Sequence, residues 1–594
     1  MKKKATAKTI KTGSAFWWIA LVILCVFIAY KGSTGNGFTN LDDDLYILQN
    51  PIIQTLDGAH IKQVFSEFYL SNYHPLTTLS YMLEYRFFGA HAKGYHSVNL
   101  LLHLLNMLLV YLLAFRLTGS HNPAVFASLL FAVHPMHVES VAWISERKDV
   151  LYAFFYLSSA LLYLKYVQGN KPLRMLLICL LLFACSLLSK SMAVTFPLLM
   201  LLIDFYCGRK MDMKSVIEKI PFFLLSVLMA YVAIRAQQSG HSIGEISGRF
   251  GVGEHLLIVC YALFFYITHL FVPLGLSAMH YYPQGALPWY YFAAPLILAG
   301  IVFIVYKSKG EKRRLLLYAS LFFLISMLPV LQIIPVGNAF AAERYTYLSY
   351  TGFFILAGAW ISGRNMQTYR RKMPVYIGTG LWIAWLVLLC HNRISVWKDS
   401  ISLSSDLIAK NPDVFHGYLL RGCAKNDLGN YKEALADLNM AVQLKPGIAR
   451  TYLNRGIARR NTGDANGAIK DYDKAIEMEP TNSLAWNNRG NIYAENKNYK
   501  AADRNFSQAI ELDASNVVAY NNRGNARLMM QEYTKASEDY KQVIKMQPTH
   551  QNAMYNLAVC YINMGNKKAA CKLWDKAMLY GHIKAKEAME KYCR

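Results

Sequence analysis

Residues 481–514 read TNSLAWNNRGNIYAENKNYKAADRNFSQAIELDA, and the spacing inside this stretch recurs on both sides of it. Trp486, Gly490, Tyr493, Ala502, Phe506 and Ala509 mark two amphipathic helices joined by a short turn. Gly422, Gly456, Gly490 and Gly524 repeat at a step of 34 residues, as do Ala434, Ala468, Ala502, Ala536 and Ala570. Pro412, Pro446, Pro480 and Pro548 keep the same frame, with Ala514 in the one gap. This period belongs to stacked helical hairpins: small residues let the two helices of a pair approach, and the Pro ends the second helix. Five repeats fit (413–446, 447–480, 481–514, 515–548 and 549–582). A half repeat, 397–412, precedes them, and a Lys/Glu-rich capping helix runs on to Arg594.

Upstream the solvent changes. The 594-residue chain is 54% hydrophobic and only 17% charged, with mean hydropathy +0.20. A soluble globule carries about 25% charged residues, so a purely soluble enzyme is excluded and the apolar surplus must be in lipid. Ten Cys are too sparse for a disulfide-stapled scaffold, and Cys25, Cys179, Cys185, Cys207, Cys260 and Cys390 sit in apolar runs as small hydrophobes. Runs long enough to cross a bilayer fall near 15–31, 95–118, 122–143, 149–168, 172–190, 191–208, 219–236, 289–307, 315–333, 345–362 and 373–391. A twelfth, 254–272, carries Glu254, His255 and His269 and is taken as re-entrant, leaving about 11 crossings. Residues 1–392 then form a polytopic membrane domain and 393–594 a repeat domain.

Lys2, Lys3, Lys4, Lys8 and Lys11 place the N-terminus in the cytoplasm; basic loops at 165–174 and 209–219 agree with that, and those at 307–314 and 364–372 agree on condition that 254–272 does not cross. Much of the formal charge of +25 is therefore a topology signal, and nucleic acid is not an expected partner. The loop 32–94 is then external. Asp42, Asp43 and Asp44 stand together in it, beyond the first span. Such carboxylates can act as a general base for a hydroxyl acceptor or hold a divalent ion, and Asp42, Asp43 and Asp44 are the residues to test for a metal. They can equally form a solvated acidic loop. His134, His137, Glu139, Arg147, Lys190, Glu343 and Arg344 fall in or beside apolar runs at the same external end. Ionisable groups at such positions mark a binding path or pair with one another. No Gly-rich phosphate loop is present, so an activated donor would be lipid-linked and reach the site from the bilayer.

These stretches together resemble a known family. They are Leu41 to Ile47 with Asn50-Pro51, Asn72 to Thr77, Gly94 to Asn106, Phe131 to Asp149, Ser189-Lys190-Ser191 and Glu343-Arg344-Tyr345, closed by tandem tetratricopeptide repeats. In that order they resemble the transmembrane and tetratricopeptide-repeat O-mannosyltransferases. The resemblance implies an all-α protein, a GT-C-type membrane glycosyltransferase domain followed by a tetratricopeptide α-solenoid. It also implies an inverting enzyme that moves mannose or another hexose from a polyprenyl-phosphate carrier to Ser/Thr hydroxyls of exported proteins. On that reading Asp42 and Asp43 are the acidic pair that supplies the base. By charge and side, Arg147, Lys190 and Arg344, with His134, His137 and Glu139, would bind the donor phosphate. Ser191 departs from the family, where an acidic residue follows the Lys. A divalent metal remains open. Asn454, Asn488, Asn522 and Asn556 recur at 34 residues and would contact the backbone of an acceptor peptide; ordinary repeat consensus accounts for them equally. Membrane lipid, the lipid-linked donor and acceptor proteins are the expected partners. The expected setting is a bacterial inner membrane with periplasmic repeats, or an ER membrane with lumenal repeats in a eukaryote. The other readings are a GT-C transferase acting on a glycan or lipid, and a non-enzymatic membrane-anchored repeat scaffold.

Overall fold

The computed structural model describes residues 12–169, 171–239, 249–333, 335, 337–363 and 369–593. Lys2 to Lys11, Arg364 and Arg594 lie outside them. The chain divides into two compact units, Met1–Lys410 and Asn411–Arg594.

The first unit opens with α1 (Thr12–Ala29). Short helices α2 (Pro51–Gln54), α3 (Gly58–Ser66) and α4 (Pro75–Phe88) build the 32–94 loop. Next come α5 (Ala92–Thr118), α6 (His121–Val133), α7 (Val138–Ala142), α8 (Arg147–Gln168), α9 (Leu173–Ser189) and α10 (Phe196–Cys207). Then follow α11 (Met213–Ile217), α12 (Ile220–Ser239), α13 (Val252–His269), α14 (Trp289–Lys307) and α15 (Gly310–Met327). A two-stranded pairing of β1 (His280–Tyr281) with β2 (Ala339–Ala341) ties the loop after α13 to the loop after α15. The unit ends with α16 (Thr346–Ser349), α17 (Thr351–Ile361), α18 (Tyr369–Val396) and α19 (Ser400–Lys410).

Among the described residues, seven helices are long and apolar enough to cross a membrane. They include Val252–His269, so the run taken as re-entrant is one continuous helix. α6 and the segment Pro135–Ala142 together make an eighth, bent by 57°. Trp17–Ala29, Leu173–Ser189, Ser191–Cys207 and Thr351–Ile361 are apolar but shorter. Every apolar run in the sequence thus carries helix, one of them broken at His134, while the figure of 11 crossings rested on runs longer than four of these helices are.

α19 groups with the first unit, so the break falls after Lys410 and not at 392. Trp397 is buried, its ring stacked on Trp143 at 5.2 Å, and Arg393 holds Asp406 at 2.8 Å.

The second unit is five helical hairpins. They are α20 (Phe415–Asp427) with α21 (Tyr431–Leu444), α22 (Ala449–Asn461) with α23 (Ala465–Met478), α24 (Ser483–Glu495) with α25 (Tyr499–Leu512), α26 (Val517–Met529) with α27 (Tyr533–Met546), and α28 (Gln551–Asn563) with α29 (Lys567–Leu579). α30 (Ala585–Tyr592) caps them, tied to α29 by a Cys571–Cys593 disulfide. The repeat glycines sit where the two helices of a pair touch. A Cβ on Gly456 would lie 2.6 Å from the Tyr472 ring, and one on Gly490 2.7 Å from Phe506.

Candidate active site

The site is made by interrupting apolar helices. His134 is extended because Pro135 follows it, which ends α6. A one-turn helix, Pro135–His137, then α7, extended Trp143 and a second tight turn, Ile144–Glu146, carry the chain to the start of α8. This break gathers Glu139, Glu146, Arg147, Lys148 and Asp149 at one end of the bundle. Lys190 joins them from the extended C-cap of α9, and Arg344 from the tight turn Glu343–Tyr345.

Glu146 is the centre. Its carboxylate meets Lys148 Nζ at 3.2 Å, Lys190 Nζ at 3.4 Å and Arg344 Nε at 3.4 Å. Lys190 also reaches Asp149 Oδ1 at 2.5 Å. Arg344 is held twice by Glu139, through its backbone N–H at 2.9 Å and its guanidinium at 2.6 Å. The acids Glu139, Glu146 and Asp149 are fully buried, whereas Lys148 and Arg344 remain partly exposed. Two of the three cations are therefore more accessible than the acids they pair with. Trp143 and Tyr46 flank Lys148, and Trp143 and Tyr345 flank Arg344, as π-faces.

The acidic loop closes the other side. Asp43 is buried and saturated. One oxygen accepts from the backbone N–H and the hydroxyl of Ser145, the other from the N–H and hydroxyl of Thr39 at 2.9 and 3.0 Å. It pins the loop to the turn that carries Glu146. Asp42 is half-buried, its carboxylate takes no hydrogen bond among the described residues, and it feels the charges of Lys148 and Arg344. Burial pushes the Asp42 carboxyl up to about 6, with Lys148 opposing; burial likewise raises Asp43 to about 6 against its Ser145 and Thr39 bonds.

The remaining sequence candidates separate. Arg147 is wholly enclosed. Its guanidinium meets both oxygens of Glu84, Asn99 Oδ1 and the Tyr95 carbonyl at 2.9 Å, so it braces α4 and α5 against α8. His134 and His137 lie in an aromatic cluster with Phe131, Tyr347, Tyr350 and Phe354. Their ring nitrogens bond the carbonyls of Leu270 and Phe131. Glu343 pairs with Arg393 at 3.1 Å, and burial raises it to about 8. No group of three or more His, Cys, Asp or Glu among the described residues could hold a metal ion.

Three neighbours were not singled out by sequence: Glu146, Lys148 and His74. His74 precedes α4 and feels Lys148 and Lys190; burial, then those two charges, bring its ring down to about 3. The signal for Lys148 was its place beside Arg147 on one helix, where adjacent residues point about 100° apart.

In the repeats two of the four Asn amides, those of Asn522 and Asn556, join neighbouring hairpins. Asn522 Nδ2 donates to Asn487 Oδ1 and Asn491 Oδ1 at 3.2 and 3.0 Å, and Asn556 Nδ2 to Asn525 Oδ1 at 3.0 Å. Asn454 donates to the Arg450 carbonyl at 2.9 Å, and Asn488 is buried.

Residues 75–236 match the family described as dolichyl-phosphate-mannose-protein mannosyltransferase. Tetratricopeptide repeat families match 415–448, 449–482, 471–504, 517–550 and 539–572. The protein O-mannosyl-transferase F38B6.6 of Caenorhabditis elegans is 26% identical over 450 residues, covering 72% of this chain and 62% of that protein. The protein O-mannosyl-transferase TMTC4 of Homo sapiens is 24% identical over 464 residues, covering 67% of this chain and 62% of its own. This chain thus spans less than two thirds of the length of either. Among solved structures, a crystal structure of MamA protein is 24% identical with TM-score 0.27, covering 30% of this chain and 96% of that one. Family models thus match both its membrane segment and its tetratricopeptide repeats, and the chain is similar over much of its length to these protein O-mannosyl-transferases.

Proposed function

We propose that the protein is a membrane glycosyltransferase that moves a hexose, mannose by resemblance, from a polyprenyl-phosphate carrier to a hydroxyl of an exported protein. The observation that carries this is the arrangement around Glu146: three cations gathered on one buried carboxylate, two of them partly exposed, with the one unbonded carboxylate of the acidic triplet, Asp42, within the charge of those two. Lys148, Lys190 and Arg344 suit the donor phosphate. Asp42 accepts the proton of the acceptor hydroxyl as that oxygen bonds the anomeric carbon; the sugar–phosphate bond breaks on the opposite face, which inverts the centre. The cations stabilise the charge that collects on the leaving phosphate, and holding donor and hydroxyl together supplies the rest. Asp43, saturated by Thr39 and Ser145, positions the loop. Arg147 and the two histidines support the site from behind it.

The Cys571–Cys593 disulfide favours an oxidising, extracytoplasmic location for the repeats. The repeats present protein-binding faces there, the Asn522 and Asn556 amides serving as staples between hairpins more than as free donors.

The test uses membranes carrying wild type, Asp42→Asn or Asp43→Asn at equal levels, with a radiolabelled polyprenyl-phosphate mannose and exported acceptor proteins. Asp42→Asn should lower transfer by about 100-fold or more with the protein still folded. Asp43→Asn should lower the melting temperature along with transfer. Full activity in Asp42→Asn would sink the assignment of the base, and no transfer by wild type to any protein would sink the reading.

A further inference from the structure

A second charged cluster lies at the far end of α8, 16 or more residues from Arg147. There every buried acid is matched. Asp204 meets Lys219 at 2.6 Å and accepts from the Tyr163 hydroxyl at 2.9 Å; Glu218 meets Arg209 and the Tyr166 hydroxyl, both at 2.6 Å. Two acids, two cations and two phenols make this end neutral within itself.

Two apolar grooves flank the start of α12, and they differ in one respect. The groove toward Leu224, Val227 and Leu228 has a volume of about 740 Å³, and its one lysine, Lys219, is turned inward to Asp204 and the Ser215 carbonyl. The groove between α9 and α12 has a volume of about 540 Å³. Its walls are Leu173, Leu177, Leu180 and Phe222, and at its mouth stand Lys171 and Lys214. Both lysines are exposed and neither makes an ion pair among the described residues; the one acid in the lining, Glu218, is already matched by Arg209. Lys171 also adopts a left-handed backbone (φ 54°), uncommon for a residue with a side chain, and follows it with α9, whose first turn has no side-chain cap. Two unmatched cations and open N–H groups thus crown an apolar trough.

We infer that the groove between α9 and α12 holds an anionic phospholipid of the bilayer, its phosphate between Lys171 and Lys214 and an acyl chain along Leu173, Leu177 and Phe222. The neighbouring groove has the same apolar body without the free charges and takes acyl chains without regard to headgroup. This lipid sits in the opposite leaflet from the Glu146 site and is not the sugar donor. The inference is independent of the transferase reading, since its readout is lipid retention and not turnover.

The full chain, purified in mild detergent, is mixed with phosphatidylglycerol or phosphatidylcholine of identical chains, and bound lipid is counted by native mass spectrometry. Wild type should retain one phosphatidylglycerol about tenfold in preference to phosphatidylcholine, and the preference should fall as salt is raised. Lys171→Gln with Lys214→Gln should abolish the preference, while Lys171→Arg with Lys214→Arg, or Lys62→Gln on α3, should keep it. Equal retention of both lipids by wild type, or a preference that survives the paired Gln change, overturns the assignment. So does preferential capture of a polyprenyl phosphate over phosphatidylglycerol.

Discussion

Asp42 and Asp43 are adjacent in sequence and differently held, and the difference is one of hydrogen bonding. A carboxylate already accepting four bonds has no lone pair directed at a substrate, whereas Asp42 has its oxygens free. Both carboxyls lie near 6, so the pH profile separates them only when wild type is compared with Asp42→Asn. The base must be ionised, so with its carboxyl near 6 the rate at saturating substrate should fall about tenfold per unit below pH 6. His74 stays neutral throughout that range and adds no limb of its own; an acid limb that persists unchanged in Asp42→Asn would refute this assignment. Arg147 belongs to the same scale. Removing it leaves Glu84 buried without its counter-charge, so Arg147→Ala should cost about 3–5 kcal/mol, read as a large drop in the melting temperature of the full chain. Sequence reading brought Asp42, Lys190 and Arg344 to one end of the bundle, where the structure groups them, because charge is scarce in apolar runs. It could not tell Arg147 from Lys148, since a single step along a helix decides which one stays partly exposed and which one Glu84 encloses.

Elements show the same division between what periodicity carries and what it leaves out. The 34-residue step was legible because close helix contacts forbid side chains at Gly456 and Gly490, and that leaves a mark in the sequence. The direction of the Asn amides left none, and those of Asn522 and Asn556 link hairpin to hairpin. Turns between paired helices hold a left-handed residue, Gly429, Gly463 and Gly565 in three of them, but Lys497 and Gln531 in the other two. Gln531→Gly should relieve that conformation and stabilise the full chain by about 0.5–1 kcal/mol; a loss of stability on thermal melting would count against the turn geometry. The membrane helices were located by hydropathy but not counted by it. α9, at 17 residues, and α17, at 11, fall short of the roughly twenty that span a bilayer unaided, so hydropathy alone sets no count of crossings.

For the whole molecule, the disulfide makes a prediction about compartments. In intact cells Cys571 and Cys593 should resist thiol-reactive reagents until a reductant is added, while Cys423 and Cys560, buried and unpaired, should react only on unfolding. Free Cys571 and Cys593 thiols in the native protein would place the repeats on the reducing side. A last consequence concerns α8. One end is braced by Arg147 on Glu84, Asn99 and Tyr95, the other by Tyr163 and Tyr166 on Asp204 and Glu218. From Arg147 to Tyr166 an α-helix rises about 29 Å, close to the roughly 30 Å of hydrocarbon in an ordinary bilayer. A rod fixed at both ends cannot shorten and, packed on both flanks, can hardly tilt. The protein is therefore gauged to one membrane thickness, and in lipids of graded chain length its stability should peak where that thickness is met and decline on either side.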